Sequence, residues 1–213
     1  MSVARRRAVV STVRQFIKEP ELKKMYLAGP DVFAREPQAI GARKKEICLR
    51  FGLLGIFPMD LVALDKSLPK IEQGLYIYDI MERTMRECDG IIVNMTPLHG
   101  PSMDVGSAFE MGFMKALDKP LFAYSNSDTI FAERVVRFWN GKVTTRPDGM
   151  REGGDQMALE EFDMVDNLML DGSVRRSTNV FTLSEISADE RYVSLMNFEA
   201  CVAEAARWFS AQG

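Results

Sequence analysis

GIIVNM, residues 90–95, runs straight into TPLHGPSMDVGSAFEMGF, residues 96–113. The first six residues are apolar and partly β-branched, which reads as a short buried strand. Pro97, Gly100 and Pro101 then break the chain into a loop. From Asp104 to Leu117 the pattern becomes helical. A buried strand, a turn-rich loop and a helix form the repeating unit of an α/β fold.

The same unit recurs on both sides. Upstream, KMYLAG (24–29) is a strand ending in Gly29-Pro30, and 35–51 is a helix. LLGIFPM (53–59) is a second strand, and 71–88 a second helix with Tyr78, Met81 and Met85 at helical spacing. Downstream, PLFAYS (120–125) is a fourth strand and 129–139 a helix. NVFTL (179–183) is a fifth strand and 190–209 a closing helix. Strands alternating with helices predict βαβ units: a doubly wound, five-stranded parallel sheet flanked by helices. Ligands in such sheets bind beyond the carboxyl ends of the strands. The loops to watch are therefore 29–33, 58–64, 94–106 and 125–128. GKVTTRPDGMREGGDQ (141–156) holds four glycines and one proline and reads as a long loop. Loops of that length in a compact domain are usually functional or disordered.

Composition narrows the chemistry. The 213 residues, at ~150 per domain, fit one domain with an extension. We divide the chain into an N-terminal helical extension, 1–22, and a domain, 23–213. The extension carries Arg5, Arg6, Arg7, Arg14 and Lys18, with no acid before Glu19. It reads as an amphipathic surface helix, with an organelle transit peptide as the alternative. A net charge of −3 speaks against nucleic acid as a partner. No run of ~20 apolar residues predicts a membrane span. Cys48, Cys88 and Cys201 are scattered, which suits reduced intracellular thiols and no metal cluster. His99 is the single histidine, so histidine-based metal sites and triads drop out. GxxxxGK[ST], GxGxxG, GxSxG and HExxH are all absent. Carboxylate chemistry remains.

Asp104 and Glu110 are six residues apart, ~9 Å along a helix. If Asp104 belongs to the incoming loop, both carboxylates can face one pocket. Glycosyl transfer needs such groups, one as nucleophile and one to serve the leaving group. Glu110 sits among Phe109, Met111, Gly112 and Phe113, where a buried acid is costly without partners. The spacing also fits a plainer arrangement, in which Asp104 caps the helix and Glu110 lies on its surface.

YLAGPDVF (26–33), CDGIIVNMTPLHGPSMDVGSAFEMGFMKALDKPLFAY (88–124) and DNLMLDG (166–172) resemble, in order, the nucleoside 2-deoxyribosyltransferases. The resemblance covers about residues 24–210. A single histidine, no thiol cluster and no dinucleotide loop predict no cofactor and no metal, and a cytoplasmic location is expected; the resemblance implies a flavodoxin-like sheet. It implies a homo-oligomer, at least a dimer, whose active sites are shared between subunits. The implied substrates are a 2′-deoxynucleoside and a free nucleobase, and the deoxyribosyl group passes between bases with net retention. By the family pattern Glu110 is the nucleophile and forms a covalent deoxyribosyl ester. Tyr26 orients Glu110, and Asp104 lines the pocket. Gly29, Pro30 and Gly106 shape the loops against the substrate. Asn167, with Met169 beside it, reaches the sugar of a neighbouring subunit.

The chain also departs from that pattern. Met81 stands where many members carry Asn or Asp facing the base, so a polar handle is lost. Ser107 replaces the commoner Thr, and His99 an Arg. Two other functions stay open. One is hydrolysis of nucleoside or deoxynucleoside 5′-monophosphates, although no Lys or Arg occurs in 87–114. The other is a ligand-sensing module with the pocket kept and the chemistry lost.

Overall fold

The computed structural model describes residues 21–212. The expected N-terminal helix lies almost wholly outside them. The expected chain path appears as β1 (Lys23–Ala28), α1 (Pro37–Arg50), β2 (Leu53–Ile56), α2 (Lys70–Glu87), β3 (Gly90–Asn94), α3 (Val105–Ala116) and β4 (Leu121–Ser125). It continues through α4 (Phe131–Phe138), two-residue strands β5 (Thr144–Thr145) and β6 (Arg151–Glu152), α5 (Leu168–Arg175), β7 (Val180–Leu183) and α6 (Met196–Gln212). Five strands form one sheet in the order β2-β1-β3-β4-β7, and every pairing is parallel. This is the flavodoxin-like order, whose direction reverses between β1 and β3.

Both faces of the sheet are covered, because successive strand residues point to opposite sides. Met25, Leu27, Ile92 and Phe122 pack toward α1 and α6, against Ile47, Phe198 and Val202. Tyr26, Ala28, Ile91 and Val93 pack the other way, against Met81, Met85, Met111 and Met114 of α2 and α3. The position of Tyr26 in this alternation decides that it faces α3.

Three readings are corrected. Residues 141–156 contain a small antiparallel ladder, β5 with β6, in which Gly153 and Gly154 lie against the Trp139 indole. The closing helix starts at Met196 rather than Glu190, since 188–193 forms turns. A short helix, α5, follows Asn167, which caps it by accepting a hydrogen bond from the Met169 N–H at 3.0 Å.

Beyond the strand ends, a buried ion pair joins the loops. Lys44 Nζ lies 2.6 Å from Asp31 Oδ2, with the two side chains 1% and 4% exposed. Asn94 Nδ2 donates to the same oxygen at 3.2 Å, while Asn94 Oδ1 accepts from the Thr96 N–H. Lys44 also lies 4.9 Å from the Phe198 ring centroid. The loop after β1 is thereby tied to α1 and to the end of β3. Removing one member of a buried pair strands the other charge and typically costs about 3–5 kcal/mol. Lys44→Ala is therefore expected to lower unfolding free energy by about 3 kcal/mol or more in urea denaturation at neutral pH. Replacing both members with apolar residues, Lys44→Met with Asp31→Leu, should cost less than either single change. A double variant weaker than both singles would contradict the stranded-charge account.

Candidate active site

At the reversal point between β1 and β3, a cavity of about 400 Å³ opens beyond the strand ends. Its polar wall is α3. Asp104 is the helix N-cap: its Oδ2 accepts from the Ser107 N–H at 2.8 Å and the Ser107 hydroxyl at 2.9 Å. The capping arrangement and the pocket-lining arrangement are both realised, because Asp104, Gly106, Ser107 and Glu110 all line the cavity. Ser107, Met111 and Met114 are the buried positions of α3, so Glu110 is carried on the inward side. The surface position open in the sequence is thereby excluded.

Tyr26 reaches Glu110 from the sheet. Its hydroxyl donates to Glu110 Oε1 at 2.5 Å, and the Met81 sulfur lies 3.3 Å from the Tyr26 hydroxyl oxygen. Tyr26 is fully buried. Burial, then the Glu110 charge, pushes the phenol far above its ordinary range, so Tyr26 acts as a fixed donor. Burial also lifts the Glu110 carboxyl from 4.5 to about 7, against the Tyr26 hydrogen bond, which lowers it. The nearby Asp104 charge adds to the rise. A carboxylate stripped of water, aimed into a cavity and titrating near neutrality is typical of groups that do chemistry.

Gly29 closes the cavity beside β1. A Cβ there would lie 2.5 Å from Asn94 Cβ and 2.7 Å from Asp31 Oδ2, so no larger residue fits. Pro30 is buried behind it, opening a short 3-10 turn. A Cβ at Gly106 would crowd Asp104 Oδ2 at 3.2 Å. Met81 lines the cavity, as its place on α2 predicts. The remaining walls are apolar and come from the loop after β1, the β2–α2 connection and α2.

Asn167 and Met169 do not line the cavity of their own chain. Asn167 donates through Nδ2 to Glu160 Oε2 at 2.7 Å, and Met169 is 69% exposed on α5. His99 lies in a separate cleft with Arg134 and Arg137.

A buried pair not singled out in the sequence places these loops. Asp166 is buried, accepts from the Ser102 hydroxyl (2.5 Å) and the Met103 N–H (3.0 Å), and pairs with Arg134 at 3.0 Å. It joins the loop entering α3 to the segment carrying Asn167. Its position inside DNLMLDG was the available signal; Arg134, within an amphipathic helix, offered none. Among the described residues no group of three or more His, Cys, Asp or Glu is placed to hold a metal ion.

The flavodoxin-like sheet thus carries a buried Tyr–Glu pair at its reversal point, in the wall of a cavity beyond the strand ends. The model of the nucleoside 2-deoxyribosyltransferase family matches residues 25–169, and the chain belongs to that family. It is 29% identical over 178 residues to an uncharacterised protein of Schizosaccharomyces pombe, covering 79% of this chain and 84% of the relative. Among solved structures, it resembles the 2-desoxiribosyltransferase of Leishmania mexicana with a TM-score of 0.52 and 22% identity. That match covers 81% of this chain and 96% of the other. It also resembles a conserved protein of Enterococcus faecalis V583, with a TM-score of 0.51 and 16% identity, covering 87% and 99%. At these identities the two structures share the fold.

The raised Glu110 value sets two expectations. Because the folded protein holds this proton more tightly than the unfolded chain, the associated stabilisation is complete below about 4.5 and lost as pH rises through about 7. Glu110→Gln should remove that part of the pH dependence in denaturant titrations. Tyr26→Phe removes the contact that favours the ionised form. If activity needs ionised Glu110, the acidic limb of kcat/KM should move upward by about one to two pH units, since a charged hydrogen bond contributes about 1.5–3 kcal/mol. An unmoved limb in an active Tyr26→Phe protein would separate Tyr26 from the titration.

Proposed function

We propose that the protein transfers the 2-deoxyribosyl group between purine and pyrimidine bases through a covalent ester on Glu110. The observation carrying this reading is the Tyr26–Glu110 contact at the cavity wall. Ionised Glu110 attacks the anomeric carbon as the glycosidic bond breaks. The departing base takes the bonding pair and a proton. An incoming base then attacks the same carbon, gives up a proton and releases the carboxylate. Two inversions give net retention. Tyr26 fixes one carboxylate oxygen so that the other is free to attack. The apolar surroundings keep the nucleophile poorly solvated and therefore reactive. Asp104 lines the same cavity wall as Glu110. Deoxyribose suits a carboxylate nucleophile, because a 2′-hydroxyl would withdraw electrons from the developing cation.

Nucleosides fit better than nucleotides. Asp104 and Glu110 line the cavity, whereas no Lys, Arg or His does among the described residues. A 5′-phosphate would meet two carboxylates and no cation. This favours transfer between nucleosides over the monophosphate hydrolase, and the chemical poise of Glu110 favours an enzyme over a sensing module.

A shared site is part of the proposal. Exposed Phe33, Val105, Phe109 and Met169 are 67%, 84%, 52% and 69% accessible. These side chains leave apolar surface on the outside of the chain that a partner subunit could cover. A neighbouring subunit seated there would bring Asn167 and Met169 to the sugar. No described helix is long and apolar enough to cross a membrane. Three unpaired, buried cysteines agree with a reducing compartment, and we place the enzyme in the cytoplasm.

Incubation with deoxyinosine and adenine, followed by chromatography, is expected to yield deoxyadenosine and hypoxanthine. Free deoxyribose as the main sugar product would instead indicate hydrolysis. Inosine should react at least about fivefold more slowly than deoxyinosine, the lower end of what one unpaired buried hydroxyl costs. For the shared site, mixing inactive Glu110→Ala with inactive Asn167→Ala should restore partial activity. No rescue despite demonstrated subunit exchange would mean sites built within single chains.

A further inference from the structure

The polar and apolar walls of the cavity are segregated. Every carboxylate and hydroxyl side chain lining it comes from α3 and its cap: Asp104, Ser107 and Glu110. These groups already engage one another or Tyr26, through the Asp104–Ser107 capping bonds and the Tyr26–Glu110 bond. Opposite them lie Val32 and Phe33 after β1, Met59 and Leu64 before α2, and Ile77 and Met81 on α2. None of these side chains carries an N–H, O–H or oxygen. Of the cavity's two glycines, Gly106 lies against Asp104 in the acidic wall, whereas a Cβ at Gly29 would meet Asn94 and Asp31 beside β1.

Resting on the reading of Glu110 as the group that bonds the sugar, this layout fixes where each half of the substrate goes. The sugar must lie against α3, so the base is left with the apolar walls. We propose that the site selects its aglycone by apolar surface and size, without side-chain hydrogen bonds to the edge of the base. Met81 is a specificity-determining residue in this scheme. It occupies the middle of the base wall, and its thioether, 3.3 Å from the Tyr26 oxygen, also closes that wall onto the catalytic pair. A flexible, polarizable side chain there adapts to rings of different outline.

The physical consequence is a particular ranking. A site that hydrogen-bonds a substrate group rejects an analogue lacking it by about 10⁴-fold or more. An apolar wall does the reverse: a polar edge loses its water and gains nothing, so a ring without that edge binds better. The preferred ligands are therefore flat bicyclic or alkyl-substituted rings with few exocyclic polar groups.

Calorimetric titration of the intact protein with free adenine, hypoxanthine and benzimidazole tests this without turnover. Adenine and hypoxanthine share an outline but present reversed donor and acceptor edges; benzimidazole has no such edge. The expected result is benzimidazole binding tighter than both, with adenine and hypoxanthine separated by less than about tenfold. Benzimidazole binding more weakly than either, a larger separation, or no binding by any of the three overturns the proposal. Met81→Asn should weaken benzimidazole; an unchanged benzimidazole affinity in a folded variant would contradict the role given to Met81. Base exchange is read separately. The expected ranking without exchange would overturn the transferase reading alone, and exchange with the wrong ranking would overturn this inference alone.

Discussion

Glu110 has been taken out of water and given one strong hydrogen bond in return. Much of the site follows from that exchange. Burial favours its neutral form, and the Tyr26 hydroxyl pulls back toward the charged one. The balance near neutrality lets the carboxylate be ionised yet weakly solvated, the condition a carboxylate nucleophile needs. Both halves of the pair depend on secondary-structure phase. Tyr26 faces α3 because strand residues alternate, and Glu110 faces the sheet because α3 buries Ser107, Met111 and Met114 on the same side.

Such a pair is useful only if the chain around it cannot relax away. Two buried ionic contacts hold the loops. Asp31–Lys44, with Asn94, holds the turn after β1 against the end of β3. Asp166–Arg134, with Ser102 and Met103, holds the segment entering α3 against the one entering α5. Neither pair touches the cavity. Both occur where a parallel sheet leaves strand ends and loops to be fastened by side chains rather than by ladder hydrogen bonds. Because a buried pair contributes modest net stability against its desolvation cost, geometric definition of the loops is the better account of their presence.

The sheet was legible because its strands are short, apolar and bounded by Gly or Pro. GIIVNM and PLFAYS admit little else. The acidic wall was legible for a different reason: Asp104, Gly106 and Glu110 follow directly after the central strand, so topology alone brings them to the cavity. Lys44 was not legible, since nothing in the run Arg43–Lys44–Lys45 marks the one lysine that turns inward. Nor was α5, eight residues long with Gly172 in its middle. Its stability comes from contacts: Asp171, buried, accepts from the Val165 N–H at 2.8 Å. Tertiary partners of this kind leave no periodic trace.

The acidic wall, from α3 and its cap, faces apolar side chains across the cavity. Under the proposed chemistry this division puts Met81 on the base side, with its sulfur 3.3 Å from the Tyr26 oxygen. It also makes the chemistry separable from recognition, and the chemistry has a direct test. Wild-type protein incubated with deoxyinosine and no acceptor, then denatured and digested, should carry a deoxyribosyl group on Glu110 by peptide mass spectrometry, with hypoxanthine released in equal amount. A deoxyribosyl group on another residue, or hypoxanthine release from protein bearing no adduct under the same quench, would contradict the account.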